Sequence, residues 1–134
     1  MKIQIIDGSV TFSDDTMRRH MDRQAFLRSR IGESAKEVVV NGPWITYNFS
    51  PETGIACNAI FKNERLFRLS IMIRLPSDDT NRWSDAAEQK RQVLHDEWLQ
   101  AELGKPPYRY VWGQIDSGLD RRDGFSDIVV AYAD

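Results

Sequence analysis

The sequence predicts an α+β protein with a single antiparallel sheet of about six or seven strands and one long and one short helix packed on one face. Three observations predict this class. Runs of β-branched and aromatic residues alternate with short turns between residues 37 and 75. A helical segment follows at about 84–103, and two strand-like runs then flank a polar loop. Because the 134 residues contain no linker or repeat, we expect one domain, 1–134.

The first elements are a hairpin and a short helix. Residues 3–6 and 10–12 are mostly apolar or β-branched, and Asp7, Gly8 and Ser9 lie between them. Glycine accepts the positive φ that tight turns require, so we predict two antiparallel strands here. Asp22 is typical of a helix N-cap, and Gly32 is typical of a C-terminal stop, which predicts a short helix between them.

The middle of the chain predicts a meander of antiparallel strands. Strand-like runs at 38–40, 45–49, 55–62 and 66–75 are separated by turn residues. In the last run, odd-numbered apolar residues occupy one face: Phe67, Leu69, Ile71, Ile73 and Leu75. The other face mixes Leu66 and Met72 with Arg68, Ser70 and Arg74. We therefore predict a central strand with one wetter side.

The long helix is predicted from Ser84, a good N-cap, to about Leu103, and Gly104 stops it. Its helical wheel gives one stripe that should pack on the sheet: Ala87, Arg91, Leu94, Trp98 and Ala101. Leu99 and Leu103 widen this stripe, and His95 lies between the two sets.

Charge and composition exclude several classes of function. The formal net charge is -2 and basic residues are interspersed with acids, so we expect no nucleic-acid binding. The N-terminal apolar run breaks at Asp7 and is too short for a signal peptide or a membrane span, which predicts a cytoplasmic protein with no membrane contact. No motif for a cofactor or a metal is present, and we predict neither.

Two residues are candidates for nucleophilic or acid-base chemistry. His95 precedes Asp96 and has an ordinary pKa near neutrality, as a general base requires. Cys57 is the single cysteine and could form a nucleophilic pair with a histidine. The structural alternative is favoured for both: Cys57 as a buried, inert thiol, and His95 as a packed residue against Trp98 or Leu99 or bonded to a sheet carbonyl.

The loop at 116–124 contains three aspartates, two arginines and two glycines. Its spacing fails the EF-hand pattern, and Asp116 with Asp120 could form a glycosidase pair only if a sugar cleft were present. Two interpretations remain open: a plain hairpin tip with solvated Arg-Asp pairs, which is favoured for any single residue, and a tip that binds a complementary charged protein partner. The partner-binding residues predicted at this tip are Asp120, Arg121, Arg122 and Asp123. We expect Trp112 and Tyr132 to hold the scaffold beneath it.

The last third of the chain carries a resemblance. The segments VLHDEWL, LGKPP and WGQIDSGLDRRDGFSDIVVAY resemble small, stand-alone bacterial proteins in which a His-Asp-x-Trp-Leu helix precedes a Trp-Gly-x-Ile/Val-x-Ser-x-x-Asp hairpin. Proteins of this style resemble the immunity proteins that neutralise toxins of bacterial competition systems. Arg122 and Asp123 directly before Gly124 depart from the pattern, so the resemblance carries over no loop chemistry.

These observations favour a non-catalytic, cytoplasmic protein-binding module, and the resemblance implies an immunity-type inhibitor of a toxin-like enzyme. The alternative is a small enzyme or small-molecule-binding protein that uses His95 or the loop from Asp116 to Asp123. Its candidate site residues are His95, Cys57 and Asp116. The sequence leaves the oligomeric state open.

Overall fold

The fold was analysed in a computed structural model that describes residues 1–76, 78, 83–119 and 124–134. The protein is α+β, with two helices and antiparallel sheets, as predicted. The prediction of a single sheet was wrong, because a three-stranded sheet at the N-terminus is separate from the seven-stranded main sheet.

The small sheet contains β1 (Lys2–Ile3), β2 (Val10–Thr11) and β3 (Thr16–Met17) in that order. The predicted pairing of the first two strands is confirmed, with Ile3 opposite Val10. Both strands are shorter than predicted. The backbone already reverses after Gln4, whose carbonyl accepts a hydrogen bond from the Gly8 amide at 2.9 Å, and it turns again after Thr11, where the Phe12 amide donates to the Asp15 carbonyl at 2.8 Å. The three two-residue strands pair only with one another and form a sheet of their own.

Helix α1 (Arg23–Arg28) begins at the predicted cap, where the Asp22 carboxylate accepts a hydrogen bond from the Ala25 amide at 3.2 Å. It ends at Ser29 and not at Gly32, because both the amide and the hydroxyl of Ser29 donate to the Phe26 carbonyl. Gly32 has a packing role, since a Cβ at this position would lie 1.9 Å from the Phe26 carbonyl oxygen.

The main sheet is antiparallel throughout, and its order is β4-β5-β6-β7-β10-β9-β8. The predicted meander and the central position of its last strand, β7, are confirmed. The strands of this sheet are β4 (Lys36–Asn41), β5 (Trp44–Glu52), β6 (Ile55–Lys62), β7 (Arg65–Ile73), β8 (Tyr108–Tyr110), β9 (Gly113–Leu119) and β10 (Ser126–Tyr132).

One face prediction on β7 was wrong. The register shifts by one residue between the pairs Ile60–Arg68 and Phe61–Leu66, so Phe67 is an extra residue in a β-bulge. Leu66 is therefore buried in the core together with Leu69, whereas Phe67 packs edge-on against Trp44 with ring centroids 5.0 Å apart. A bulge changes which residues share a face, and alternation in the sequence does not show it.

Helix α2 (Asp85–Leu103) has the predicted Ser84 N-cap and ends before Gly104. The predicted packing stripe was wrong in part: Ala101 is exposed, and Leu94 and Trp98 are only partly buried. The fully packed side of this helix consists of Glu88, Arg91, His95 and Leu99. Three of these four residues are polar, so an apolar wheel could not identify the side that packs.

Both helices cover the same face of the main sheet. Phe26 of α1 contacts Phe49 and Phe61. Register pairs across β6 connect Phe49 to Ile71 and Ile128, so these three residues lie on the same face of the sheet. Ser126 alternates onto the same face as Ile128, and its hydroxyl lies 3.5 Å from His95 of α2. We call this side the covered face and the other side the open face.

Candidate functional site

The aromatic base of the C-terminal hairpin has the predicted scaffold role. Trp112 and Tyr132 are each 4% exposed. The Trp112 indole donates to the Ile5 carbonyl at 2.7 Å, and the Tyr132 hydroxyl donates to the Gly8 carbonyl at 2.8 Å. A side chain at Gly8, where φ is 74°, would lie 2.5 Å from the Trp112 ring. These contacts fix the small sheet to the main sheet.

The tip of the same hairpin carried the predicted partner-binding residues, Asp120, Arg121, Arg122 and Asp123. These four residues lie outside the described residues. The prediction that they bind a partner and face solvent therefore stays a prediction.

His95 lies where β7 and β10 separate. Their register pairs end at Ile71 with Ile128, although the same register would place Ser126 opposite Ile73. The Ile73 amide donates instead to His95 Nε2 at 3.0 Å, and the Ser126 amide donates to the Glu88 carboxylate at 2.9 Å. Side chains of α2 thus bond the two amides that β7 and β10 would otherwise pair with each other. Buried backbone groups are costly to leave unpaired.

Arg91 completes this arrangement. Its guanidinium donates to the Ile73 carbonyl at 2.6 Å, to both oxygens of Glu88 at 3.0 Å, and to both oxygens of Asp78 at 2.9 and 2.6 Å. These are five hydrogen bonds, and an arginine has five N–H donors. We call Glu88, Arg91 and His95 the polar wedge. It ties α2 to β7, to β10 and to the turn at Asp78.

The electrostatics of the wedge favour a structural role for His95. Burial of the ring, and then the neighbouring Arg91 cation, lower the pKa of His95 to about 4. Hydrogen bonds from Arg91 hold the pKa of Asp78 below its usual value. His95 is fully buried and accepts the Ile73 amide, so it is a neutral acceptor near pH 7. The burial of His95 agrees with the expected packed histidine, and its partner on the sheet is the Ile73 amide and not a carbonyl.

The structure does not bring the three alternative site residues together. Cys57 is 2% exposed on the covered face, and burial followed by the charge of Glu52 raises the pKa of its thiol. No hydrogen bond joins this thiol to a histidine in the described part of the chain. Asp116 is exposed on the open face, where its carboxylate accepts from the Gln114 amide at 2.9 Å.

A row of mostly polar residues crosses the open face. Register pairs connect one residue on each of β5, β6, β7, β10 and β9, and we call these residues the polar row: Asn48, Asn58, Ser70, Val129 and Asp116. The Asn48 amide donates to Asn58 at 3.1 Å, and the Ser70 hydroxyl donates to the carboxylate of nearby Asp127 at 2.6 Å. Several side chains of this face are therefore held in place by hydrogen bonds.

One concavity lies on the open face, and a second lies between the edge of this face and α2. A shallow groove of about 450 Å³ follows the polar row, and its lining includes Ile60, Arg68 and Asp127. A pocket of about 330 Å³ lies at the separated ends of β7 and β10. Its walls are the apolar side chains Met72, Trp83 and Phe125, and Glu88 and Arg91 of the wedge also line it. His95 does not line it, so the pocket gives no evidence for a histidine base.

Sequence reasoning missed both the wedge and the polar row. The signal for the wedge was Arg91 in an otherwise apolar stripe, because a charged residue in a buried position requires partners. The signal for the row was the polar alternation of β5 and β7, but the pairing that aligns these residues is a tertiary property.

Neither a metal site nor a membrane-spanning helix is found among the described residues. No group of three or more His, Cys, Asp or Glu side chains is arranged to hold a metal ion within this part of the chain. Among the same residues, no helix has the length and apolar character needed to span a membrane.

Comparison with known proteins shows no match to a family model, to a curated protein or to a solved structure.

Proposed function

We propose that this chain is a non-catalytic, cytoplasmic protein-binding module, and that it acts as an immunity-type inhibitor of a bacterial toxin enzyme. The observation that carries the proposal is the polar row across five strands of the open face. Both helices pack on the other face, so this face is available to a partner. The resemblance of the last third of the chain to immunity-type proteins supports the same class.

Preorganisation of the open face favours binding. Asn48 and Ser70 already hold hydrogen-bonded partners, so fewer side chains need to be ordered when a protein docks. The strands beneath them are held by a packed core on the other side. A rigid surface of this kind binds a folded protein at a lower entropic cost than a loop would.

The open face carries exposed charges of both signs, which favours a partner whose surface also carries both. Arg68 is exposed, and no ion pair engages it among the described residues. Asp116, also exposed, lies on the same groove. Arginine offers planar, paired donors and aspartate offers matching acceptors, so the two groups select a partner surface with complementary charges. The second pocket combines the apolar side chains of Met72, Trp83 and Phe125 with charged groups, among them Arg74, and is suited to one anchoring side chain of that partner.

The test begins with retention of proteins from a bacterial lysate on the immobilised chain, followed by purification of the retained protein. Its affinity is then measured by calorimetry for the wild type, for Arg68→Glu and for Asp116→Lys. Matched controls are Arg28→Glu on α1 and Glu97→Lys on α2, which reverse exposed charges on the covered side. We expect each open-face variant to weaken binding by about tenfold or more, which corresponds to about 1.4 kcal/mol. The controls should stay within about twofold of the wild type.

The inhibitor part of the proposal needs a separate measurement. The retained protein is expressed in bacteria alone, with the wild-type chain, and with Arg68→Glu. Growth should fall with the retained protein alone, recover with the wild type and recover less with the variant. Equal binding by open-face and control variants would contradict the proposed surface. A partner that leaves growth unaffected would contradict the toxin-inhibitor function.

A further inference from the structure

Strand β4 is an edge of the main sheet, and it is unusually apolar for an edge. All six of its residues are exposed, and Val38, Val39 and Val40 are 58%, 52% and 58% exposed. β4 pairs with β5 on one side only, so the outer side of β4 presents backbone donors and acceptors. Proteins usually protect such edges with charges, proline or a β-bulge. In β4 the charges, Lys36 and Glu37, and the bulge lie in its first half, and Val39 and Val40 follow without any of these.

We propose that β4 pairs with β4 of a second copy of this chain, antiparallel and centred on Val39. This register places Val39 opposite Val39, and Val38 opposite Val40 in both directions. Three consecutive valines are self-complementary in this way, because every position in the contact is apolar on both strands. Cross-strand pairs of β-branched residues stabilise a sheet.

The charges that flank the valines permit this register. Lys36 lies opposite Gly42 of the second copy, and Glu37 lies opposite Asn41. Like charges directly opposite each other destabilise a sheet, and this register places none opposite each other in the new ladder. In the ladder with β5, Val38 is the extra residue of a bulge between Glu37 and Val39, and the strand from Val39 to Asn41 is regular. The proposed register therefore requires Val38 to pair on the outer side of β4 although it is unpaired on the inner side. A second copy suits this edge better than an unrelated charged segment, since it brings the same apolar triplet.

The symmetry of the pairing has a structural consequence. A two-fold axis perpendicular to the sheet keeps the faces aligned, so the open faces of the two copies lie on the same side. The dimer displays two polar rows on one continuous sheet. Pairing along a single short strand buries less area than a standard protein interface, and we therefore expect dimerisation that depends on concentration.

The first test measures molar mass by sedimentation over a hundredfold range of concentration. For the wild type, the mass should rise from that of one chain towards twice that value. Val39→Lys should remain at the mass of one chain across the range. The matched control is Val93→Lys on the outer side of α2, where the valine is 56% exposed, and it should behave as the wild type. Thermal unfolding of both variants establishes that they fold.

The second test is specific for the register. A cysteine at position 39 would lie opposite its own copy, with Cα atoms about 4.5–5.5 Å apart, which is within disulfide range. Cysteines at position 41 would lie about 14 Å apart, too far for a disulfide. Under mild oxidation Val39→Cys should therefore form a covalent dimer and Asn41→Cys should not. A wild type that stays monomeric at every concentration overturns the proposal, as does equal cross-linking of the two cysteine variants.

Discussion

The two faces of the main sheet use polar residues for different purposes. On the covered face, Glu88, Arg91 and His95 are buried and saturate the backbone where β7 and β10 separate. On the open face, Asn48, Asn58 and Ser70 lie in a solvated row. Buried polar groups are costly when a partner is removed, whereas exposed ones are easily replaced. Polar residues of one sheet thus secure the fold on one face and are available for recognition on the other.

The largest expected difference between the faces is in thiol reactivity. Cys57 faces the core, and burial raises the pKa of its thiol, so the reactive thiolate is both hidden and disfavoured. We expect an aromatic disulfide reagent to modify it only after unfolding. Asn58→Cys in a Cys57→Ala background places a thiol on the next residue but on the open face. It should react faster by about a thousandfold or more under native conditions. Similar rates would show that the core opens readily and would weaken the comparison.

The next effect concerns the buried cation. Arg91→Met leaves the Glu88 carboxylate without its charge partner in the core, and we expect a loss of about 3–5 kcal/mol in the free energy of unfolding. Arg68→Met, on the open face, should change this free energy by about 0.5 kcal/mol or less. Urea denaturation monitored by tryptophan fluorescence measures both. Equal effects for the two arginines would remove the distinction between the faces.

The third effect is a pH dependence of stability. The folded state lowers the pKa of His95 from 6.5 to about 4, so the unfolded chain binds this proton first as pH falls. The contribution of His95 is therefore complete above pH 6.5 and is lost as pH falls towards 4, by up to about 3 kcal/mol. His95→Gln should flatten this part of the stability curve. His20→Asn, which keeps a residue tolerant of the positive φ at position 20, should retain it.

The smallest effect is expected on the polar row itself. Ser70→Ala removes the 2.6 Å hydrogen bond to Asp127 and should cost about 1 kcal/mol. Asn48→Ala removes an exposed side chain and should cost about 0.5 kcal/mol or less. Losses of several kcal/mol at these positions, measured by urea denaturation, would mean that the open face is a structural element like the wedge.

Local signals identified most of the elements and little of the candidate surface. Asp22 and Ser84 cap the helices as predicted, because a cap depends on residues within one turn. The meander could also be predicted from the sequence, because short turns connect strands that are neighbours in both the chain and the sheet. The polar row was not, because it joins β5 to β9 through pairs that are distant in sequence. Alternation shows which residues share a strand face, and only pairing shows which of them become neighbours.

The sequence by itself determined the α+β class, the helix caps, the turns and the central position of β7, all of which follow from short-range chemistry and alternation. The tertiary structure decided three other features: the separate small sheet, the bulge that turns Phe67 out of the core, and the side on which α2 packs. The last of these depends on Arg91 and His95 finding backbone partners at Ile73. A buried polar residue is stable only where its partners are, and their positions depend on the arrangement of the whole sheet.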